Sequence, residues 1–204
     1  MNFLAHAFLS RLHPLWQVGG FLGDFVKGNS FDNAYPPAIS AGIRLHRQID
    51  AFTDSHALIH RCNALLYPTQ GKYAPVLTDV FFDHLLAKHW ATYTNAPLQD
   101  FVRKYYTTLH THQSLFPPKA QRTYTYMHAQ DWLTHYATEA GIRQALRGLH
   151  RRARFPNQIN NAWPDFLEHQ SQWETAFAAF MPAIMDASQK TLTELVVSQA
   201  TDHL

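Results

Sequence analysis

The sequence predicts an all-α fold, a single globular multi-helix bundle, and three observations predict it. Apolar residues recur at helical spacing along nearly the whole chain. Prolines punctuate the pattern, in "YPPAIS" and "FPPKA" and at Pro75 and Pro97, where they suit breaks and first helical turns. Strand signals are weak, because neither an Asn-Gly hairpin turn nor a long alternating Val/Ile/Thr run occurs. About eight helices with such short connections pack around one core.

Taken in order, Phe3, Leu4, Ala7, Phe8 and Leu12 mark the apolar face of a first helix that Pro14 closes. A short second helix is expected from Phe21 to Val26, between the pair Gly19–Gly20 and Gly28. The third runs from Ala38 to Phe52. Asp54 or Ser55 then caps a fourth carrying Leu58, Ile59, Cys62, Leu65 and Leu66. Pro75 opens a fifth, "PVLTDVFFDHLLAKHW", and Pro97 a sixth reaching His112. Further helices are expected over Gln121 to His135, Ile142 to Arg152 and Asp165 to Leu195, the last bent near Pro182. Neither an internal repeat nor a low-complexity segment interrupts them.

Composition narrows the function. At 204 residues, 46% hydrophobic and 16% charged, the chain has the make-up of one folded domain. A formal charge of +2 is too small to argue for nucleic acid, and no nucleic-acid motif accompanies it. Cys62 is the sole cysteine, which excludes a disulfide framework and fits a reducing cytoplasm. The opening "MNFLAHAFLSRLH" reads as a mature helix, and no apolar run approaches the roughly 20 residues of a membrane span. The expected location is cytoplasmic.

The ionisable residues of the first 84 positions carry the chemistry. In "GIRLHRQIDAFTD", His46 and Asp50 stand four apart and share one helix face. Asp79 and Asp83 repeat that spacing, and His84 follows directly. His6 lies in the first helix and Asp24 near the end of the second. Each feature alone fits a structural role: a core histidine, a helix-start carboxylate or an ion pair with Arg44 or Arg47. Asp54 reads as a cap. Together, carboxylates and imidazoles in this number favour a site for a divalent cation such as Mn²⁺, Mg²⁺ or Fe²⁺. Rival patterns are missing: there is no HExxH, "GGFLGD" lacks a phosphate-loop lysine, and Cys62 sits on an apolar face.

Several blocks occur in a telling order: "MNFLAH", "GDFVKG", "YPPAISAGIRLHRQIDAFTD", "DVFFDHLLAKHW" and later "GLHRRARF". In this order the chain resembles the acyl carrier protein phosphodiesterase (ACP hydrolyase) family, most densely over residues 1–90. The resemblance implies an all-α fold related to HD-domain phosphohydrolases and a divalent metal, Mn²⁺ first. It also implies hydrolysis of the phosphodiester that joins 4′-phosphopantetheine to a serine of holo-ACP. The adjacent pair here reads Asp83–His84, the reverse of His–Asp, and His46 is followed by Arg47. On this reading His6, Asp24, His46, Asp50, Asp79, Asp83 and His84 supply the metal site. Asp24 or Asp50 orients the attacking water, while Arg44 and Arg47 neutralise the diester.

Arg143, Arg147, Arg151, Arg152 and Arg154 make the densest basic run, with Arg143, Arg147 and Arg151 repeating every fourth residue. Carrier proteins of this class are acidic, so this helix, near residues 142–154, is expected to dock holo-ACP. Two alternatives remain open: an HD-like phosphohydrolase acting on a nucleotide or small phosphate ester, and a non-catalytic ACP-binding protein.

Overall fold

The computed structural model describes residues 1–201, with side chains described through Leu195. Its helices are α1 (Phe3–Leu9), α2 (Pro14–Leu22), α3 (Phe31–Ala34), α4 (Pro37–Ser55), α5 (Ala57–Gln70), α6 (Ala74–Lys88), α7 (Leu98–Thr111), α8 (Pro118–Ala129), α9 (Trp132–His135), α10 (Glu139–Arg152), α11 (Ala162–Glu168) and α12 (Gln170–Thr201). No strand occurs among the described residues, so the fold is all-α, as the periodicity predicts. None of the described helices is long and apolar enough to cross a membrane.

Helix α6 is the centre of the molecule. It is apolar nearly all round, and from Leu77 to Ala87 only Asp79 escapes full burial, the pattern of a helix enclosed on every side. Phe81 meets Phe166 of α11 and Trp173 of α12, with ring centroids 4.9 and 5.4 Å away. Phe82 meets Phe180 of α12 at 5.5 Å. These rings explain why the helix expected over Asp165 to Leu195 is broken at His169. In one straight helix Phe166 and Trp173 would be about 10 Å apart along the axis. The corner brings their rings to 6.0 Å, so both reach Phe81. Helix α12 then continues through Pro182.

The closest helix contact is between α2 and α4. A Cβ on Gly19 would overlap the Ile39 carbonyl oxygen, and one on Gly42 would overlap the Trp16 carbonyl oxygen. Backbone therefore lies directly on backbone, which only glycine permits. This corrects the expected helix Phe21–Val26. Pro14 begins α2, His13 caps it by accepting the Leu15 N–H at 3.2 Å, and both glycines lie inside it. Tertiary contact outweighs the low helix propensity of glycine here. Leu12, expected on the first apolar face, lies beyond α1 and is exposed.

Two other boundaries differ from expectation. Helix α5 is capped by His56, whose Nδ1 accepts the Leu58 N–H at 3.2 Å, so neither Asp54 nor Ser55 is its cap. Those two residues end α4, and the Asp54 carbonyl accepts from His60 Nε2 at 2.6 Å. The helix expected over Gln121 to His135 breaks at Asp131, whose φ of 44° is left-handed.

The N-terminus of α1 is satisfied from a distance. Asn2 makes no side-chain cap, and buried Asp83 of α6 accepts the Leu4 and Ala5 N–H groups at 2.7 and 3.1 Å instead. Burial pushes the Asp83 carboxyl up to about 7, while the two N–H donors pull it down. Asp83→Asn replaces an acceptor with a donor facing an N–H group. It is expected to cost about 1–3 kcal/mol, a fall in melting temperature of several degrees by circular dichroism. Glycine substitutions should separate packing from propensity. Gly42→Ala is expected to lose about 1–3 kcal/mol by overpacking, whereas Gly148→Ala in α10, where an added Cβ meets only open space, should gain up to about 1 kcal/mol. Equal melting temperatures for the two variants would refute the close α2–α4 contact.

Candidate metal centre

Two helices deliver one polar cluster into the apolar interior. His6 comes from α1, and His46 and Asp50 come from successive turns of α4. Asp50 Oδ1 lies 3.1 Å from His6 Nε2, and its Oδ2 lies 3.0 Å from His46 Nε2. The two imidazoles stack, with centroids 3.9 Å apart and planes 21° from parallel. Among the described residues, these three are the one group of three or more His, Cys, Asp or Glu whose potential ligand atoms all lie within 4.8 Å of one another. Asp24, in the turn after α2, stands at the edge with Oδ1 3.8 Å from His46 Nε2.

The protonation pattern suits a cation. His46 Nδ1 lies 2.8 Å from the Gly20 carbonyl, which can only accept, so Nδ1 carries a proton and Nε2 is the nitrogen aimed at Asp50. Burial, followed by the neighbouring His46, pushes His6 down to about 3, so its ring is neutral. Neither nitrogen of His6 makes an aligned hydrogen bond, although Nε2 is close to the carboxylate. Burial opposes ionisation of Asp50, but the two imidazoles hold its carboxyl well below the usual range. Two imidazoles converge on one carboxylate, and both nitrogens of buried His6 lack an aligned partner, so the cluster is an N/O donor set that fits a divalent cation. Gly23 makes the space: a Cβ there would overlap the His46 ring.

The other expected site residues are distributed differently. Asp79 accepts from the Met1 amino group at 2.9 Å, and that amino group is 4.0 Å from Asp50. Burial pulls the amino group's pKa down, yet Asp79 and then Asp50 raise it further, so it stands as a cation between the two carboxylates. Asp83 is occupied in capping α1. His84 points away from the cluster, as adjacent helical residues diverge by about 100°. Its Nδ1 donates to the Tyr136 carbonyl at 2.7 Å, and its ring packs edge-on against Trp163 and Phe166. The geometry thus gathers His6, His46 and Asp50, with Asp24 beside them, and gives Asp83 and His84 other contacts.

Neither arginine of α4 is joined to the cluster by an ion pair or hydrogen bond. Arg44 pairs with Asp32 at 2.6 Å. Arg47 donates to the Val26 and Gly28 carbonyls at 3.2 and 2.6 Å and to Asn29 at 3.1 Å, with Phe31 beneath it. It clasps the loop that begins at Asp24. Gly20, Gly23 and the Met1 amino group complete the surroundings, and none has a spacing signature; the only sequence hint was "GGFLGD" lying upstream of His46. Cys62 is buried, and burial pushes its thiol up to about 12, which removes it as a nucleophile. On α10, Arg143 is paired to Glu139 at 2.7 Å, while Arg147, Arg151 and Arg152, with Arg154 just beyond the helix, are exposed and form no ion pair among the described residues.

Residues 1–184 match the family model described as acyl carrier protein phosphodiesterase. Proteins named acyl carrier protein phosphodiesterase from Escherichia coli O157:H7 and from Escherichia coli strain K12 / DH10B are each 33% identical to it over 194 residues, spanning 94% of this chain and 100% of the relative. No solved structure matches the chain. By the extent of both matches, the chain belongs to the acyl carrier protein phosphodiesterase family.

Proposed function

We propose that this protein is a divalent-metal-dependent phosphodiesterase that hydrolyses the diester linking 4′-phosphopantetheine to a serine of holo-ACP. The observation that carries the reading is the cluster of buried His6 and His46 with half-buried Asp50 in a member of this family. These three residues would hold the cation, with Asp24 as the adjacent carboxylate. When bound, a divalent cation polarises a phosphoryl oxygen and makes water a stronger nucleophile. Mixed imidazole and carboxylate donors favour a borderline ion, Mn²⁺ or Fe²⁺, over Mg²⁺. A pairing of histidine and aspartate on adjacent helices is also the ligand chemistry expected of an HD-like phosphohydrolase.

In the net reaction the water oxygen bonds to phosphorus and the bond from phosphorus to the serine oxygen breaks. The serine oxygen keeps the electron pair and takes a proton, leaving apo-ACP and free 4′-phosphopantetheine. Asp24 is half exposed at the edge of the cluster, which suits a group that orients incoming water. Arg47 acts through the 26–29 loop and positions Asp24 rather than meeting the diester. The hydrophobic cluster runs without division from Met1 to Leu192, which supports reading the chain as one catalytic domain. Arg147, Arg151, Arg152 and Arg154 offer unpaired charge to an acidic carrier protein.

Intact-mass analysis of holo-ACP incubated with the enzyme and Mn²⁺ should show loss of the phosphopantetheine arm with the serine restored. EDTA should stop the reaction and added Mn²⁺ restore it. Persistent activity in EDTA would remove the metal from the mechanism, and binding without cleavage would leave a carrier-protein receptor. His46→Ala and Asp50→Asn should each lower kcat/KM by more than about 100-fold, beyond the 10–100-fold that outer partners of a metal site typically carry, with metal content by mass spectrometry falling in parallel. Arg44→Ala, paired only to Asp32, should change kcat/KM less than threefold, about 0.6 kcal/mol. The double variant Arg147→Glu/Arg151→Glu should raise KM for holo-ACP and flatten its salt dependence, while Arg143→Ala, already neutralised by Glu139, should have a smaller effect.

A further inference from the structure

Beside the metal cluster, but separate from it, the structure holds a cavity of about 470 Å³ between α8, α9, α10 and the start of α1. Its size falls within the range of small-molecule sites, roughly 300–1,000 Å³. Its nearest walls adjoin the cluster. Asn2 and Phe3 follow Met1, whose amino group is 4.0 Å from Asp50, and Val80 follows Asp79. Lys119 lines the cavity and stands 5.9 Å over the ring of Phe25, the neighbour of Asp24. A ligand in this cavity therefore has one end near the cluster.

The chemistry of the far wall is specific. Left-handed Asp131 turns the chain so that Trp132 faces the cavity, and Trp132 Nε1 donates to Gln130 Oε1 at 3.1 Å. Gln144 Nε2 donates to the same oxygen at 3.0 Å. Both glutamines are exposed at the mouth of the lining, and Gln130 Nε2 and Gln144 Oε1 make no hydrogen bond to protein among the described residues. One is a donor and the other an acceptor, set in a largely apolar wall, which matches the C=O and N–H of an extended amide chain. A bare hydrocarbon would leave both unused. The guanidinium of Arg152 lies 5.6 Å over the Trp132 ring, and with Arg151, Arg122 and Lys119 it lends positive charge to the lining.

Resting on the proposed activity, we infer that this cavity receives the pantetheine arm of holo-ACP, its amides meeting Gln130 and Gln144 and its phosphate end directed toward the metal cluster. Binding energy from an arm held this way would be spent on placing the diester, so substrates with a shortened arm would lose kcat as well as affinity. The four basic residues of the lining belong to two helices, so the carrier protein would approach over α8 and α10 together.

Gly148 supplies the test. It lines the cavity, and a Cβ built there meets no atom within 4 Å, so Gly148→Phe directs a ring from an open position of the lining into the space. Pantetheine and 4′-phosphopantetheine are titrated into the full chain with intrinsic tryptophan fluorescence and calorimetry as readouts, and octanoate serves as a hydrocarbon probe. Saturable binding of both arm compounds, weakened at least tenfold in Gly148→Phe and in Gln144→Leu, is expected, with Mn²⁺ content and melting temperature maintained. Equal affinity in wild type and Gly148→Phe, no binding by wild type, or preferential binding of octanoate would overturn the assignment. Steady-state kinetics with holo-ACP should show KM raised in Gly148→Phe. If wild type leaves holo-ACP intact, the proposed activity fails, while the arm titration still decides the cavity.

Discussion

The contact of α2 with α4 at Gly19 and Gly42 is the constraint on which the site depends. With no Cβ on either side, the two backbones touch, and the Gly20 carbonyl comes within 2.8 Å of His46 Nδ1. That single hydrogen bond puts a proton on Nδ1 and aims Nε2 at Asp50 and Asp24. Three residues on, Gly23 leaves the volume the imidazole occupies. Asp24 then follows at the turn, held by the Arg47 clasp on its loop. A stretch of low helix propensity has become a helix because its glycines are what the packing requires.

Charge is balanced on the same scale. Asp50 would be costly as a lone carboxylate in a half-buried setting, and it is surrounded by two imidazoles and the Met1 amino group. Asp79 shares that amino group, and Asp83 spends both oxygens on the N–H groups of α1. The three aspartates thus form a graded series along one side of the first helix: one directed at the histidines, one at the amino group and one at the helix end. Because Asp83 holds the first turn of α1, it sets the height of His6, which begins the next turn. It contributes to the site by position and not by ligation.

Much of this was legible in the sequence, and the losses have physical causes. The His46–Asp50 pair was visible because both side chains ride one helix, where a spacing of four is a contact. His6 was visible as an imidazole on an apolar face, although no local rule ties it to α4. Asp83 and His84 were misleading because sequence adjacency does not survive helical geometry: Asp83 faces α1 while His84 faces Trp163 and Phe166. Arg44 and Arg47 were drawn to the diester by charge, yet Asp32 and the carbonyls of the 26–28 loop reach them first. The break at His169 was hidden since Phe166 and Trp173 keep helical spacing across it; only their shared target, Phe81, requires the corner. The His56 cap was hidden for a simpler reason, imidazole being an uncommon capping group beside Asp54 and Ser55.

The position of α1 explains how one small bundle can serve both ends of an extended substrate. One side of its N-terminal segment faces the cluster, through the Met1 amino group and His6; the other, through Asn2 and Phe3, walls the cavity. Its first turn is held by Asp83 on α6, itself the most enclosed helix in the molecule. A partition anchored in this way is rigid, and rigidity is what a site needs if contacts made at one end are to orient a reacting bond at the other. The cavity's second wall, α10, is anchored differently: Gly141 sits tightly against the His135 backbone, while Gly148 faces open space. One end of that helix is packed and the other leaves room, so the space beside Gly148 follows from how α10 is anchored.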